Sequence, residues 1–311
     1  MDWTSLIMAD LARLLQYAGA VILFGTALFN LISLPRSGEA SASRQDWPGP
    51  LFLGASVALL CGAVGSLLAQ SATMNGLALS KLDWPAVRIV LFDTRWGHAI
   101  ALRIALGLAA SLLALRRPRH SDFIIQSMLG LIALASFAFT GHGSADDGLS
   151  GDIHLVNDMI HSVAAGVWLG ALVGFYALLR APKTSDEPHR SAVARALTDF
   201  SATGTLMVAL LVATGLINSG FLIGLAGLPG LLTSAYGVLL AAKLVLFAGM
   251  LALAARNRFR LTPALHNASD PQAQAAAISA LRRSVTAETF AGLIILLLVA
   301  IFGMLEPPGA S

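Results

Sequence analysis

The sequence predicts an all-α, polytopic membrane protein with eight transmembrane helices, and three observations predict it. Hydrophobic residues fill 56% of the 311 positions and charged residues only 12%, about half the charged share of a soluble domain. The 29 glycines suit helices that approach one another closely in lipid. Eight stretches reach the roughly 20 apolar residues that cross about 30 Å of hydrocarbon. A formal net charge of +3 on so apolar a chain argues against nucleic-acid binding. The single cysteine, Cys61, excludes an internal disulfide framework and a multi-cysteine metal site.

Taken in order, the stretches are 6–34, 50–71, 97–115, 123–141, 154–179, 198–223, 236–255 and 285–305. The first is long enough to tilt, and the residues before it lack the basic start of a cleavable signal. Between the second and third stretches, Trp84 to Phe92 is amphipathic and reads as an interfacial helix. Before the last stretch, Pro271 to Arg283 is an alanine-rich helix ending in two arginines, suited to anionic headgroups. Fourteen Lys and Arg residues fall in the connections on one side of this arrangement and three on the other. The positive-inside rule therefore expects both termini in the periplasm.

Two partial self-similarities divide the chain. Trp96, Gly97 and Arg103 are matched 140 residues later by Tyr236, Gly237 and Lys243, and Gln16 with Gly25 by His161 with Gly170, 145 residues later. Both pairs of stretches run the same way, so the expected arrangement is a four-plus-four parallel repeat, with halves 1–145 and 146–311 in one membrane unit.

Ionisable residues inside spans are expensive and normally face a partner in the bundle. Arg13, Arg103, Asp158 and Lys243 fall in the outer halves of their spans, as a vestibule or as a structural charge cluster. His98, His142, His154 and His161 also lie at or near the outer side, whereas His120, His189 and His266 fall in the opposite connections. His154, Asp158 and His161 are spaced i, i+4, i+7, so one helix face carries all three, and Trp168 extends the stripe. Neutral imidazole suits copper, zinc or iron, and a carboxylate can ligate or orient it. The expected metal ligands are therefore His161, His154 and Asp158, joined by His98 or His142. A buried structural stripe is the competing reading, and His154 also reads as an interfacial residue. Met8, Met74, Met159 and Met304 map to the same half, and thioethers favour Cu(I). No Walker loop, G-x-S-x-G elbow or H-E-x-x-H motif occurs, so phosphate and hydrolytic chemistry find no support.

Three segments resemble the bacterial copper resistance protein D family: His161, Trp168 and Gly170 in a His-x₆-Trp-x-Gly helix; Tyr236 to Lys243 running on to Pro263; and Leu281 to Glu288 opening the last span. The resemblance places His161, Trp168, Lys243 and Glu288 on family positions. It implies copper handling at the inner membrane, beside a small periplasmic copper-binding protein that this chain does not carry as a fused domain. A transporter moving copper inward is the leading expectation, and a non-enzymatic one. A haem b-binding redox protein using the same histidines is the alternative, with Arg13, Arg103 or Lys243 holding propionates.

Overall fold

A computed structural model describes residues 3–34, 48–116, 119–140, 148–180, 187–224, 228–231, 233–303 and 305. Eight of its helices are long and apolar enough to cross a membrane: span 1 Leu6–Ser33, span 2 Pro48–Met74, span 3 Arg95–Ala114, span 4 His120–Thr140, span 5 Gly148–Arg180, span 6 Arg190–Leu222, span 7 Ala235–His266 and span 8 Pro271–Ile301. The alanine-rich segment expected to stand apart is continuous with span 8 in one helix, Pro271–Phe302, capped by the Asp270 carboxylate. With no turn residue between Pro271 and the apolar run, nothing stops the helix once it has started.

Spans 1 and 5 form the centre. In each, 61% of the most apolar stretch is buried, against 17% in span 6 and 6% in span 7. Span 1 packs on spans 2, 4, 5 and 8, and span 5 packs on spans 1, 4, 6 and 8. Their backbones touch where they cross. A Cβ added to Gly25 would lie 1.9 Å from the Gly166 carbonyl oxygen, and one on Gly170 would lie 2.4 Å from the Gly25 Cα. Beside this contact the Thr26 hydroxyl donates to the Gly170 carbonyl at 2.8 Å. Span 1 passes through a π-helical turn, Ile22–Thr26, at that place, one of the few local changes that shift a helix's register in a packed bundle. Beyond it Phe29, Phe175 and Phe200 join spans 1, 5 and 6 edge to face.

The amphipathic connection forms the helix Trp84–Asp93, started by Asp83 accepting from the Ala86 N–H at 3.0 Å. It buries Ala86, Val87 and Val90 and exposes Trp84, Ile89 and Phe92, as an interfacial helix does. Span 3 then starts with Thr94 accepting from the Gly97 N–H at 2.8 Å. Gly97 presses on the preceding short helix, and a Cβ there would lie 2.0 Å from the Val90 carbonyl. The start of span 7 is built alike. Ser234 accepts from the Gly237 N–H at 3.1 Å, and Gly237 lies against the Leu231 carbonyl.

The loops therefore put two sets of residues at opposite ends. Thr140, His98 and His154 lie towards the histidine end, and Arg116, Arg180 and Arg256 towards the arginine end.

Candidate metal centre and polar seams

The helix phase that groups His154, Asp158 and His161 turns them towards span 6, which answers with a stripe of its own. Thr214, Asn218 and Phe221 are also spaced i, i+4, i+7, and the two helices run antiparallel. His161 Nδ1 lies 2.8 Å from Thr214 Oγ1, Asn218 Nδ2 donates to Asp158 Oδ1 at 3.3 Å, and the His154 ring stacks on Phe221 at 4.6 Å and 4°. Asn157 locks the middle rung, donating to the Thr214 carbonyl at 3.0 Å and to Asn218 Oδ1 at 2.7 Å.

The Thr214 hydroxyl lies 2.6 Å from the Leu210 carbonyl, and with its one hydrogen given there its oxygen is the acceptor for His161 and the ring proton sits on Nδ1. The Nε2 lone pair is left available, and His161 makes no other hydrogen bond among the described residues. An imidazole with one nitrogen tied and the other open has the tautomer and fixed orientation that metal ligation uses.

Lys243 on span 7 lies within charge range of both His161 and Asp158. Trp168 is core: 5% exposed, it packs edge-on to Phe247 at 5.7 Å and ties span 5 to span 7. Spans 6 and 7 themselves meet mainly at the arginine end, where Arg258 donates to Thr205 and to the Ser201 carbonyl.

A second seam runs through the first half. Gln16 Nε2 donates to Ser66 Oγ at 2.6 Å and to the Gly62 carbonyl at 3.2 Å, joining spans 1 and 2. Its Oε1 accepts from Arg103 Nη1 at 3.1 Å. Arg103 is 2% exposed and completes its shell with Ser136 Oγ, the Ser136 carbonyl and Thr140 Oγ1, each at 2.8 Å, with the Phe137 ring 4.1 Å from its guanidinium carbon. Neutral dipoles, not a carboxylate, hold this charge among the described residues. That is workable because guanidinium offers five donors in a fixed fork. Tyr17 stands between the seams, within charge range of Arg13, Arg103 and Asp158. Arg13 has Asp10 within charge range one turn back, and its guanidinium rests against the Gly303 end of span 8.

The other expected residues lie apart. His98 is exposed and donates from Nε2 to the Phe92 carbonyl at 2.8 Å, bracing the interfacial helix. His142 and Met304 fall outside the described residues. Glu288 is buried nearer the arginine end, where the Asn257 amide donates to it. Among the described residues no group of three His, Cys, Asp or Glu side chains converges enough to hold an ion. The sequence reading missed the span 6 partners, although their i, i+4, i+7 spacing mirrors the span 5 stripe. It also missed Asp10 as a carboxylate beside Arg13.

Fold and seams together define a multi-pass helical membrane protein with an imidazole and a carboxylate presented in the bundle. The sequence profile of "Copper resistance protein D-like, N-terminal domain" matches residues 3–152, and that of "Copper resistance protein D" matches residues 194–302. The chain belongs to the copper resistance protein D family. It is 33% identical over 297 residues to Copper resistance protein D of Pseudomonas syringae pv. tomato, covering 95% of both chains. It is 26% identical to Inner membrane protein YebZ of Escherichia coli strain K12, over 83% of this chain and 86% of that one. It is also 26% identical to Copper transport protein CutJ of Bacillus subtilis strain 168, over 95% of this chain and 52% of that longer one. No solved structure matches. These comparisons lend no support to the haem alternative.

Proposed function

We propose that this protein moves copper across the bacterial inner membrane from the periplasm towards the cytoplasm, taking the ion at the seam between spans 5 and 6. The observation that carries the reading is His161, whose Nδ1 is tied to Thr214 and whose Nε2 is open within the bundle. Asp158 lies one turn away and supplies negative charge, and His154 lies a further turn towards the histidine end. Residues spread over two helical turns cannot close on one ion from a single helix, so the ion passes along the stripe, meeting further ligands from His142 or a separate periplasmic copper-binding protein. The names of the Pseudomonas and Bacillus relatives support copper as the cargo. The excess of Lys and Arg at the arginine end supports a periplasmic histidine end.

The test is His161→Ala with copper analysis of purified protein and copper uptake into sealed vesicles. Binding and uptake should both fall while folded protein remains in the membrane. Lost stability with copper binding intact would assign the stripe a structural role. Protons compete with metal for imidazole nitrogen, so binding should weaken as pH falls. Binding indifferent to pH would turn attention to the methionines.

A further inference from the structure

Glu288 belongs to neither seam. It is 1% exposed, on span 8 at the level where span 7 makes a second π-helical turn, Asn257–Leu261. Such turns recur at functional sites because they swing a side chain out of the regular helical phase. Here the turn begins at Asn257, whose Nδ2 donates to Glu288 Oε1. Two further polar atoms sit beside the carboxyl group. Asn257 Oδ1 is buried without a hydrogen bond, and Ser284 Oγ, one turn before Glu288, has no well-formed one. Asn257 and Ser284 are 8% and 3% exposed.

The charged and titratable groups on every packed element point elsewhere. On span 8, Arg282 and Arg283 are exposed, and Arg283 donates to Ser279. On span 7, Arg256, Arg258 and Arg260 are exposed, and Arg258 reaches span 6; His266 is exposed near Thr198. On span 5, Arg180 lies over the Tyr176 ring. Span 1 has no titratable residue from Ile22 to Ser33. None of these pairs with Glu288 among the described residues. A buried carboxyl kept for stability normally has a cation, and this one has two partners that can each either donate or accept.

We propose that Glu288, Asn257 and Ser284 form a proton-exchange site in the arginine-end half of the bundle. In the ionised state the carboxylate accepts the Asn257 N–H and the Ser284 O–H. When a proton from water at the arginine end binds a carboxyl oxygen, the new O–H is donated to Ser284 Oγ or Asn257 Oδ1, the two acceptors that are otherwise idle. Both states are then hydrogen-bonded, and the proton can return to water without leaving a buried group unpaired. Arg283, five residues and about 7.5 Å back along the helix, marks how near the aqueous boundary is.

Infrared difference spectroscopy of the purified full chain tests the site without reference to copper. The carbonyl stretch of a protonated carboxyl should grow and fade reversibly with pH in the parent and be missing from the Glu288→Gln protein. Ser284→Ala, which leaves the carboxyl in place, should shift that band or its midpoint. A band that does not titrate, that survives in Glu288→Gln, or that ignores Ser284→Ala overturns the proposal. A second arm rests on the copper reading: in copper-transporting vesicles, proton movement that accompanies copper should fall at least about tenfold in Glu288→Gln. Absent copper flux in the parent would count against the copper reading and leave the infrared result to decide the site.

Discussion

Thr214 is the side chain through which the candidate site can be separated from simple packing. Replacing it with valine keeps the volume but removes the acceptor that orients His161, and loss of such an outer partner typically costs about 10–100-fold in metal affinity. Copper titration of Thr214→Val should show that loss, and Thr214→Ser, which keeps the hydroxyl, should recover most of it. Equal affinity in all three proteins would remove His161 from the ligand set. Arg103 offers a contrasting case. In Arg103→Lys one ammonium cannot reach Gln16, Ser136 and Thr140 together, so buried acceptors go unsatisfied at about 1–3 kcal/mol. Thermal unfolding in detergent should report that loss with copper affinity little changed. At this scale the sequence was legible where a residue's cost inside a membrane exposes it: Arg103, Asp158, His161 and Lys243 stand out by type and depth. Thr214, Asn218 and Ser136 did not, because neutral polar residues are common in apolar helices and only the facing helix shows what they bond.

The spans themselves were readable from apolar run length, and the interfacial helix from its alternating faces. Their contacts were not, since a glycine in a helix looks the same whether it faces lipid or another backbone. The structure separates the two kinds. Gly25 and Gly170 have no room for a methyl group, whereas an added Cβ at Gly54 meets nothing within 4 Å. Gly25→Ala and Gly170→Ala should each destabilise the folded protein by about 1–3 kcal/mol through overpacking. Gly54→Ala should leave stability unchanged or raise it by up to about 1 kcal/mol through helix propensity. Melting curves of the three proteins side by side check this, and equal curves would mean that spans 1 and 5 do not meet at these glycines. The fused helix Pro271–Phe302 had the opposite problem: its change from polar to apolar suggested two elements, yet composition can change along a helix that nothing interrupts.

For the molecule as a whole, the basic-residue asymmetry predicts that a cysteine at Ala78 is labelled by an impermeant reagent from the periplasm and one at Ala268 only from the cytoplasm, each on a Cys61→Ser background. Labelling of position 268 from outside would invert the arrangement and the proposed direction of copper movement with it. The matched starts of spans 3 and 7, Thr94 with Gly97 and Ser234 with Gly237, keep the four-plus-four arrangement of the halves an open expectation with a local physical basis. The touching glycines carry one more consequence. The Phe24 ring against Gly166, the Phe29 ring against Gly174 and the Thr26–Gly170 hydrogen bond interlock around that junction, so it holds the tilt of span 5 on span 1. His161 sits nine residues from Gly170 on the same rigid rod, an arm of about 13.5 Å. A tilt of roughly 10° at the junction would swing the imidazole by about 2 Å, far more than the tolerance of about 0.2 Å in a metal–ligand bond. Fixing the junction therefore fixes where the imidazole of His161 stands in the bundle.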